Sequence, residues 1–285
     1  MLQSIQDTFT LKNGVRIPCV GFGTYLIPDG DAALRVVSEA ISLGYRHIDT
    51  AAFYKNEVSV GRAVRECGLD RRELFVTSKV WNTDRGYDKT LAAFQRTLDN
   101  LGLEFLDLYL IHWPANKKQF ADCDRINAET WRALEELYLA GRIRAIGVSN
   151  FLRHHLETLQ KTARIQPMVN QLQFHPSYMQ AETTQYCQEN GIQVEAWSPL
   201  GRSRMLAHPV LLELAAKYGA SAAQICLRWA LQHGVLPLPK STSSERIAEN
   251  TRIFNFEISP EDMARVDALP FALEKAPSHP DEIDF

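Results

Sequence analysis

Residues 21–26 read Gly21-Phe22-Gly23-Thr24-Tyr25-Leu26. They close the first apolar run of the main chain pattern, where a doubly wound sheet would carry a third glycine to seat a pyrophosphate on a helix N-terminus. Leu26 stands at that position, so this stretch argues against a doubly wound sheet. Outward from it, apolar runs at 19–23, 45–49, 74–79, 106–112, 143–149, 168–171, 192–197 and 235–239 alternate with amphipathic stretches. The latter fall at 31–42, 57–67, 87–101, 128–140, 152–162, 181–190 and 222–233. Such alternation predicts a parallel sheet, and eight strand units predict an α/β protein closed into a (β/α)8 (TIM) barrel.

Upstream, Asn13-Gly14 separates Phe9-Thr10-Leu11 from Val15-Arg16-Ile17-Pro18. Both turn positions then need positive φ, which predicts a hairpin over 8–18. Downstream, 270–285, with Pro277 and Pro280, reads as an irregular tail. With no linker composition between halves, residues 1–285 read as a single barrel domain.

The composition fits that reading. Of 285 residues, 45% are hydrophobic and 23% charged, enough to bury a large core and unlike a disordered or collagenous chain. The net charge is −3 and no basic run could track a phosphate backbone, which argues against nucleic acid as a partner. No apolar run approaches the ~18 residues a membrane helix needs, and the N-terminus lacks a basic flank and apolar stretch. A cytoplasmic protein, not a membrane one, is therefore expected. The five cysteines form no CxxC pair and are read as reduced packing residues. No coiled-coil stripe is evident, so a monomer is expected.

In a (β/α)8 barrel the active site is built where strands end and the following loops begin. Asp49 ends Arg46-His47-Ile48-Asp49, Lys79 ends Phe75-Val76-Thr77-Ser78-Lys79, and His112 ends Leu108-Tyr109-Leu110-Ile111-His112. These are strands two, three and four of the pattern. Tyr54, in the loop just past Asp49, can lean over the same mouth. A carboxylate beside a lysine keeps the ammonium charged, and that charge beside a phenol pulls a pKa of about 10 downward. Each residue alone has a bland explanation, as cap, rim, packing or structural donor. Four on adjacent strands favour acid–base chemistry.

His47 shares the parity of Asp49 one layer deeper and is expected in the core. Glu195, with the parity of Trp197, is expected to point inward as a paired structural carboxylate. His154 and His155 open a helix and are expected to be solvated. His175 follows a strand without the further ligands a metal needs, so no metal site is expected. A metal-dependent barrel hydrolase would need a histidine pair after the first strand, and Val20-Gly21-Phe22-Gly23-Thr24 supplies none.

The motifs together resemble the aldo-keto reductases, from the hairpin to about Leu269. The resemblance rests on Gly44-Tyr45-Arg46-His47-Ile48-Asp49-Thr50-Ala51 leading to Tyr54, Ser78-Lys79-Val80-Trp81 and Leu110-Ile111-His112-Trp113-Pro114. Gly147-Val148-Ser149-Asn150-Phe151, Asn170-Gln171, and Lys240-Ser241 followed by Arg246 and Asn250 continue it in family order. It implies a barrel that binds a nicotinamide cofactor without a doubly wound sheet, and a catalytic tetrad of Asp49, Tyr54, Lys79 and His112. Tyr54 would protonate the carbonyl oxygen as hydride arrives, Lys79 would lower its pKa, Asp49 would fix Lys79, and His112 would orient the carbonyl.

For the cofactor, the resemblance places Ser149, Asn150 and Gln171 at the carboxamide and Trp197 against the nicotinamide ring, where many relatives have tyrosine. Thr24 and Asp49 also fall on the cofactor side. Ser198 and Leu200 match the loop over the pyrophosphate, and Lys240, Ser241 and Arg246 surround the adenosine 2′-phosphate. Glu249 and Asn250 match the adenine side. A point charge plus a planar guanidinium suits a phosphate, which implies NADPH over NADH.

Tyr25, Trp81, His112 and Trp113 would line an aromatic substrate pocket. Its rim would be set by 115–127, with Lys117, Lys118, Asp122, Asp124 and Arg125, and by the tail ending at Phe285. The implied activity is NADPH-dependent reduction of small aldehydes or ketones, such as methylglyoxal-type dicarbonyls or diketo sugar acids. A non-catalytic cofactor-binding sensor is the alternative, against which the intact tetrad argues.

Overall fold

The computed structural model describes residues 2–271 and 278–285; Pro277 of the expected tail lies outside the described residues. A hairpin of β1 (Thr8–Thr10) and β2 (Arg16–Pro18) comes first, paired antiparallel with Phe9 opposite Ile17. Next come β3 (Gly21–Gly23), α1 (Asp31–Ser42), β4 (His47–Asp49), α2 (Glu57–Glu66), β5 (Phe75–Val80), α3 (Tyr87–Leu101), β6 (Leu106–Ile111) and α4 (Cys123–Leu139). Then follow β7 (Ile143–Ser149), α5 (Arg153–Gln160), β8 (Val169–Gln173), α6 (Ala181–Glu189), β9 (Gln193–Trp197), α7 (Pro209–Tyr218), α8 (Ala222–Gln232) and β10 (Leu236–Pro237). Two short helices close the sequence of elements, α9 (Ser244–Glu249) and α10 (Pro260–Asp267).

Strands β3 to β10 form one parallel sheet in chain order. The seam is bridged where Gly23 N donates to Pro239 O at 3.0 Å. This is the eight-stranded (β/α)8 barrel, preceded by its hairpin, that the alternation predicts. The glycines of the opening stretch serve the seam. A Cβ on Gly21 would lie 2.5 Å from Leu238 Cδ2 and 2.7 Å from His47 Nδ1, and one on Gly23 would press on Leu238 O at 3.3 Å. Close packing against neighbouring strands, on side chains at Gly21 and on backbone at Gly23, favours glycine there.

The apolar runs are buried almost throughout, as parallel strands covered by helices must be. Helices α7, α9 and α10 fall outside the simple strand–helix repeat, so alternation alone did not isolate them. Helix α4 begins at Cys123, ahead of the expected start. Proline opens α7 and α10, and the Ser259 side chain caps α10 by accepting from Asp262 N. No single described helix is long and apolar enough to cross a membrane.

The tail returns to the barrel mouth. Asn116 Nδ2 donates to Pro280 O at 2.9 Å and to Ile283 O at 3.0 Å, and Asn82 Nδ2 donates to Phe285 O at 2.9 Å. Here one expectation is corrected. His155 is not solvated: its side chain is 8% exposed, its Nδ1 accepts from Leu152 N at 3.1 Å, and its Nε2 lies 2.9 Å from Asp281 Oδ1. A neutral ring whose Nδ1 accepts carries its proton on Nε2, so this contact is a hydrogen bond donated to the tail. Burial, then the neighbouring His154, holds the His155 pKa down to about 4. His154 is exposed, as expected, with Nε2 3.1 Å from Asp281 Oδ1.

Candidate active site

The ladder sets the site. Gly23 pairs with Asp49 and Asp49 with Thr77, while Lys79 pairs with Leu110 one pleat further on. Successive side chains on a strand alternate faces, so His47 and Asp49 on β4, and Thr77 and Lys79 on β5, point the same way into the barrel. Past the strand ends the pairing continues as loop hydrogen bonds: Thr24 N to Asp49 O, Thr50 N to Thr77 O, His112 N to Val80 O and Asn150 N to Gln171 O. Each candidate loop is therefore fastened to a neighbouring strand at its first residue.

Lys79 is fully buried and its ammonium is saturated. Nζ donates to Asp49 Oδ1 and Oδ2, both at 2.8 Å, to Thr50 O at 2.9 Å and to Tyr54 Oη at 3.2 Å. Burial works against its charge, but Asp49 and Tyr54 outweigh that and raise its pKa. Tyr54 closes a short helical turn, residues Ala52–Tyr54, that lays its ring 5.7 Å from the His112 ring. All four tetrad residues thus meet at one place.

The expected lowering of the Tyr54 pKa is not the net result. Burial of the hydroxyl is the largest influence and pushes it up to about 12; the Lys79 charge opposes, and Asp49 adds to the rise. At neutral pH Tyr54 is a protonated phenol, with a proton available to give. His112 is held well below its usual range by burial, then by Lys79 and Arg85, and is a neutral imidazole.

Above these residues the walls are aromatic. Trp81 lies 5.1 Å from the His112 ring, and Tyr25 5.0 Å from the Tyr54 ring. Phe285 stacks parallel to Trp81 at 6.0 Å and meets Trp113 edge-on at 5.7 Å. The half-exposed Phe53, stacked on Trp81 at 3.8 Å, was missed from sequence, although its place beside Tyr54 was a usable signal. Arg85 was also missed. It is buried, and its guanidinium donates to Trp113 O at 3.1 Å and Pro114 O at 2.9 Å, fixing the loop that carries Trp113. Nothing in the local pattern marks it.

The residues assigned to the cofactor come from several strand ends and from α9. Trp197 Nε1 donates to Asn150 Oδ1 at 2.9 Å, and Asn150 Nδ2 donates to His112 O at 2.9 Å and Ser149 Oγ at 3.0 Å. Trp197 therefore keeps a hydrogen bond where a tyrosine hydroxyl is absent. Ser149 Oγ donates to Gln171 O at 2.9 Å. Thr24 is fully buried with Oγ1 donating to Asp49 O at 2.9 Å, so its hydroxyl proton is used inside the fold. Ser198, at φ 51°, and Leu200 lie on the loop after β9.

Lys240, Ser241 and Arg246 lie after β10, both cations exposed and Ser241 buried. Among the described residues neither cation has a carboxylate within ion-pair distance. Glu249 ends α9 and Asn250 follows it, buried. Deeper in the barrel, His47 is buried as expected, with Nε2 2.9 Å from Thr77 Oγ1 and 3.8 Å from Glu195 Oε1. His175 is buried too, its Nδ1 2.7 Å from Pro176 O.

Residues 20–270 match the family model described as Aldo/keto reductase family. Glyoxal reductase of Bacillus subtilis (strain 168) is 52% identical over 285 residues, with 100% of each chain covered. The uncharacterized oxidoreductase YtbE of the same bacterium is 51% identical over 289 residues, again with 100% of each covered. Among solved structures, MGS-M4, an aldo-keto reductase enzyme from a Medee basin deep-sea metagenome library, superposes with a TM-score of 0.91 at 40% identity, covering 98% of this chain and 100% of that one. An aldo-keto reductase of Bombyx mori in complex with NADP gives 0.84 at 35%, covering 94% and 93%.

Proposed function

The chain belongs to the aldo/keto reductase family, and from that premise we propose that it is an NADP(H)-dependent oxidoreductase reducing small aldehydes and ketones, with dicarbonyls of the methylglyoxal type or diketo sugar acids as the favoured class. The observation that carries this reading is the Tyr54 hydroxyl 3.2 Å from Lys79 Nζ, beside a neutral His112 under an aromatic mouth. The name of the Bacillus glyoxal reductase supports the dicarbonyl class.

The donor set fits a nicotinamide dinucleotide phosphate. The hydrogen-bonded row of Trp197, Asn150 and Ser149 offers a flat indole face beside polar atoms. Lys240 and Arg246, without a carboxylate partner among the described residues, suit a phosphate monoester. When bound, reduced cofactor supplies the hydride that adds to the carbonyl carbon. Tyr54 gives its phenolic proton to the carbonyl oxygen as negative charge develops there, and Lys79 stabilises the phenolate left behind. Asp49 holds Lys79 charged and in place. His112, uncharged, orients the oxygen by hydrogen bonding without competing as an acid. Trp81, Trp113, Tyr25 and Phe285 line the mouth with apolar faces and offer few directional contacts, which suits small substrates.

The test follows the loss of reduced-nicotinamide absorbance with NADPH or NADH and a panel of dicarbonyls, comparing wild type with Tyr54→Phe. Turnover that prefers NADPH and collapses in the variant supports the reading. NADPH binding without turnover of any carbonyl would favour the sensor.

A further inference from the structure

Glu195 is fully buried in the barrel and takes no part in the chemistry above. It pairs in register with Gln171 on β8, and the Gln171 amide bridges it to Asp49. Gln171 Nε2 donates to Asp49 Oδ2 at 2.9 Å and to Glu195 Oε2 at 2.7 Å. An amide turned the other way would aim its carbonyl oxygen at the Asp49 carboxylate, which has no proton to give, and would take its N–H groups away from both carboxyl oxygens, at a depth where water cannot compensate. The orientation is therefore dictated by chemistry, and both amide protons are committed. The one hydrogen-bonding atom Gln171 retains is Oε1, an acceptor that receives no hydrogen bond among the described residues.

We propose that Glu195 is a positioning residue: with Asp49 it locks the Gln171 amide so that Oε1 is presented as an acceptor for the cofactor carboxamide N–H. This rests on the reading in which Gln171 meets the carboxamide. Glu195 acts only through Gln171. The titratable groups that face it are His47 and Asp49 from β4 and Lys79 from β5. His47 Nε2 is already engaged by the Thr77 hydroxyl, so it does not replace Gln171 as partner.

The experiment measures the affinity of wild type, Glu195→Gln and Glu195→Leu for NADPH by quenching of tryptophan fluorescence. It repeats the measurement with the analogue in which an acetyl group replaces the carboxamide. That analogue has no N–H to donate. Glu195→Leu removes one of the two acceptors that hold the amide and should weaken NADPH binding roughly tenfold, the scale of one lost hydrogen bond, without weakening the acetyl analogue. Glu195→Gln still offers an acceptor to Gln171 and should restore NADPH affinity to within about threefold. Equal losses on both cofactors, or no loss in Glu195→Leu, overturn the proposal. Should that variant not fold, Glu195→Met makes the same comparison. A wild type that binds neither cofactor defeats the proposed function itself and takes this inference with it.

Discussion

The Lys79 ammonium lies 2.8 Å from each carboxylate oxygen of Asp49, with both side chains inside the barrel. A pair this deep favours the fold only while both members remain. Removing one leaves an uncompensated charge, at a cost of about 3–5 kcal/mol, whereas replacing both with apolar groups can be nearly neutral. Lys79→Met is therefore expected to lose about that much stability in denaturant titration, and Asp49→Leu/Lys79→Met to recover most of it while remaining inactive. A double variant no more stable than the single one would show that the pair's hydrogen bonds, not its charge balance, dominate.

Tyr54→Phe removes the proposed proton donor and leaves the ring. Carbonyl reduction should fall by about 10^2 to 10^4, with NADPH affinity nearly unchanged. Because burial pushes the Tyr54 pKa up to about 12, its acid form persists across the neutral range. Reduction should show no alkaline loss up to about pH 9, whereas alcohol oxidation, which needs the phenolate, should accelerate as pH rises. A reduction rate that falls between about pH 7 and 9 would contradict the protonated-donor role.

The Glu195 carboxyl is pushed up by burial, then by Asp49, to about 8 from an ordinary value of 4.5. A pKa raised on folding contributes stability that is complete below the unfolded value and lost as pH rises through the folded one. Wild type should thus weaken relative to Glu195→Gln between pH 4.5 and about 8, by on the order of 3 kcal/mol in paired denaturant titrations. Parallel stability curves for the two proteins over that window would count against a protonated Glu195.

Lys240 and Arg246 are exposed and have no carboxylate partner among the described residues, and Ser241 is buried. Replacing both with alanine should raise the KM for NADPH by roughly tenfold or more while leaving NADH nearly unaffected, and the effect should shrink with added salt. Equal losses with both cofactors would place the two cations elsewhere than at a 2′-phosphate.

Much of this was legible in the residues. Alternation of apolar runs and amphipathic stretches, the Asn13-Gly14 turn and the polar residue closing each run are local properties, visible in windows of a few residues, and they led to the barrel, its hairpin and Asp49, Lys79 and His112. The family resemblance supplied the residues proposed for the cofactor. Other features depended on residues far apart in the chain. The solvation expected of His155 failed because Asp281, on the returning tail, covers it. The lowered pKa expected of Tyr54 considered only its charged neighbour, whereas burial by the closed barrel has the larger effect.

Sequence by itself determined which chemical groups stand at the strand ends, because strand parity and loop position follow from local pattern. Only the tertiary structure decided what those groups face. The seam contact of Gly23 with Pro239, the Gln171 amide shared between Asp49 and Glu195, and the Phe285 ring against Trp81 all join distant parts of the chain. Hydrogen-bond orientation and proton affinity are set by everything packed around an atom, and that surrounding exists only once the barrel has closed.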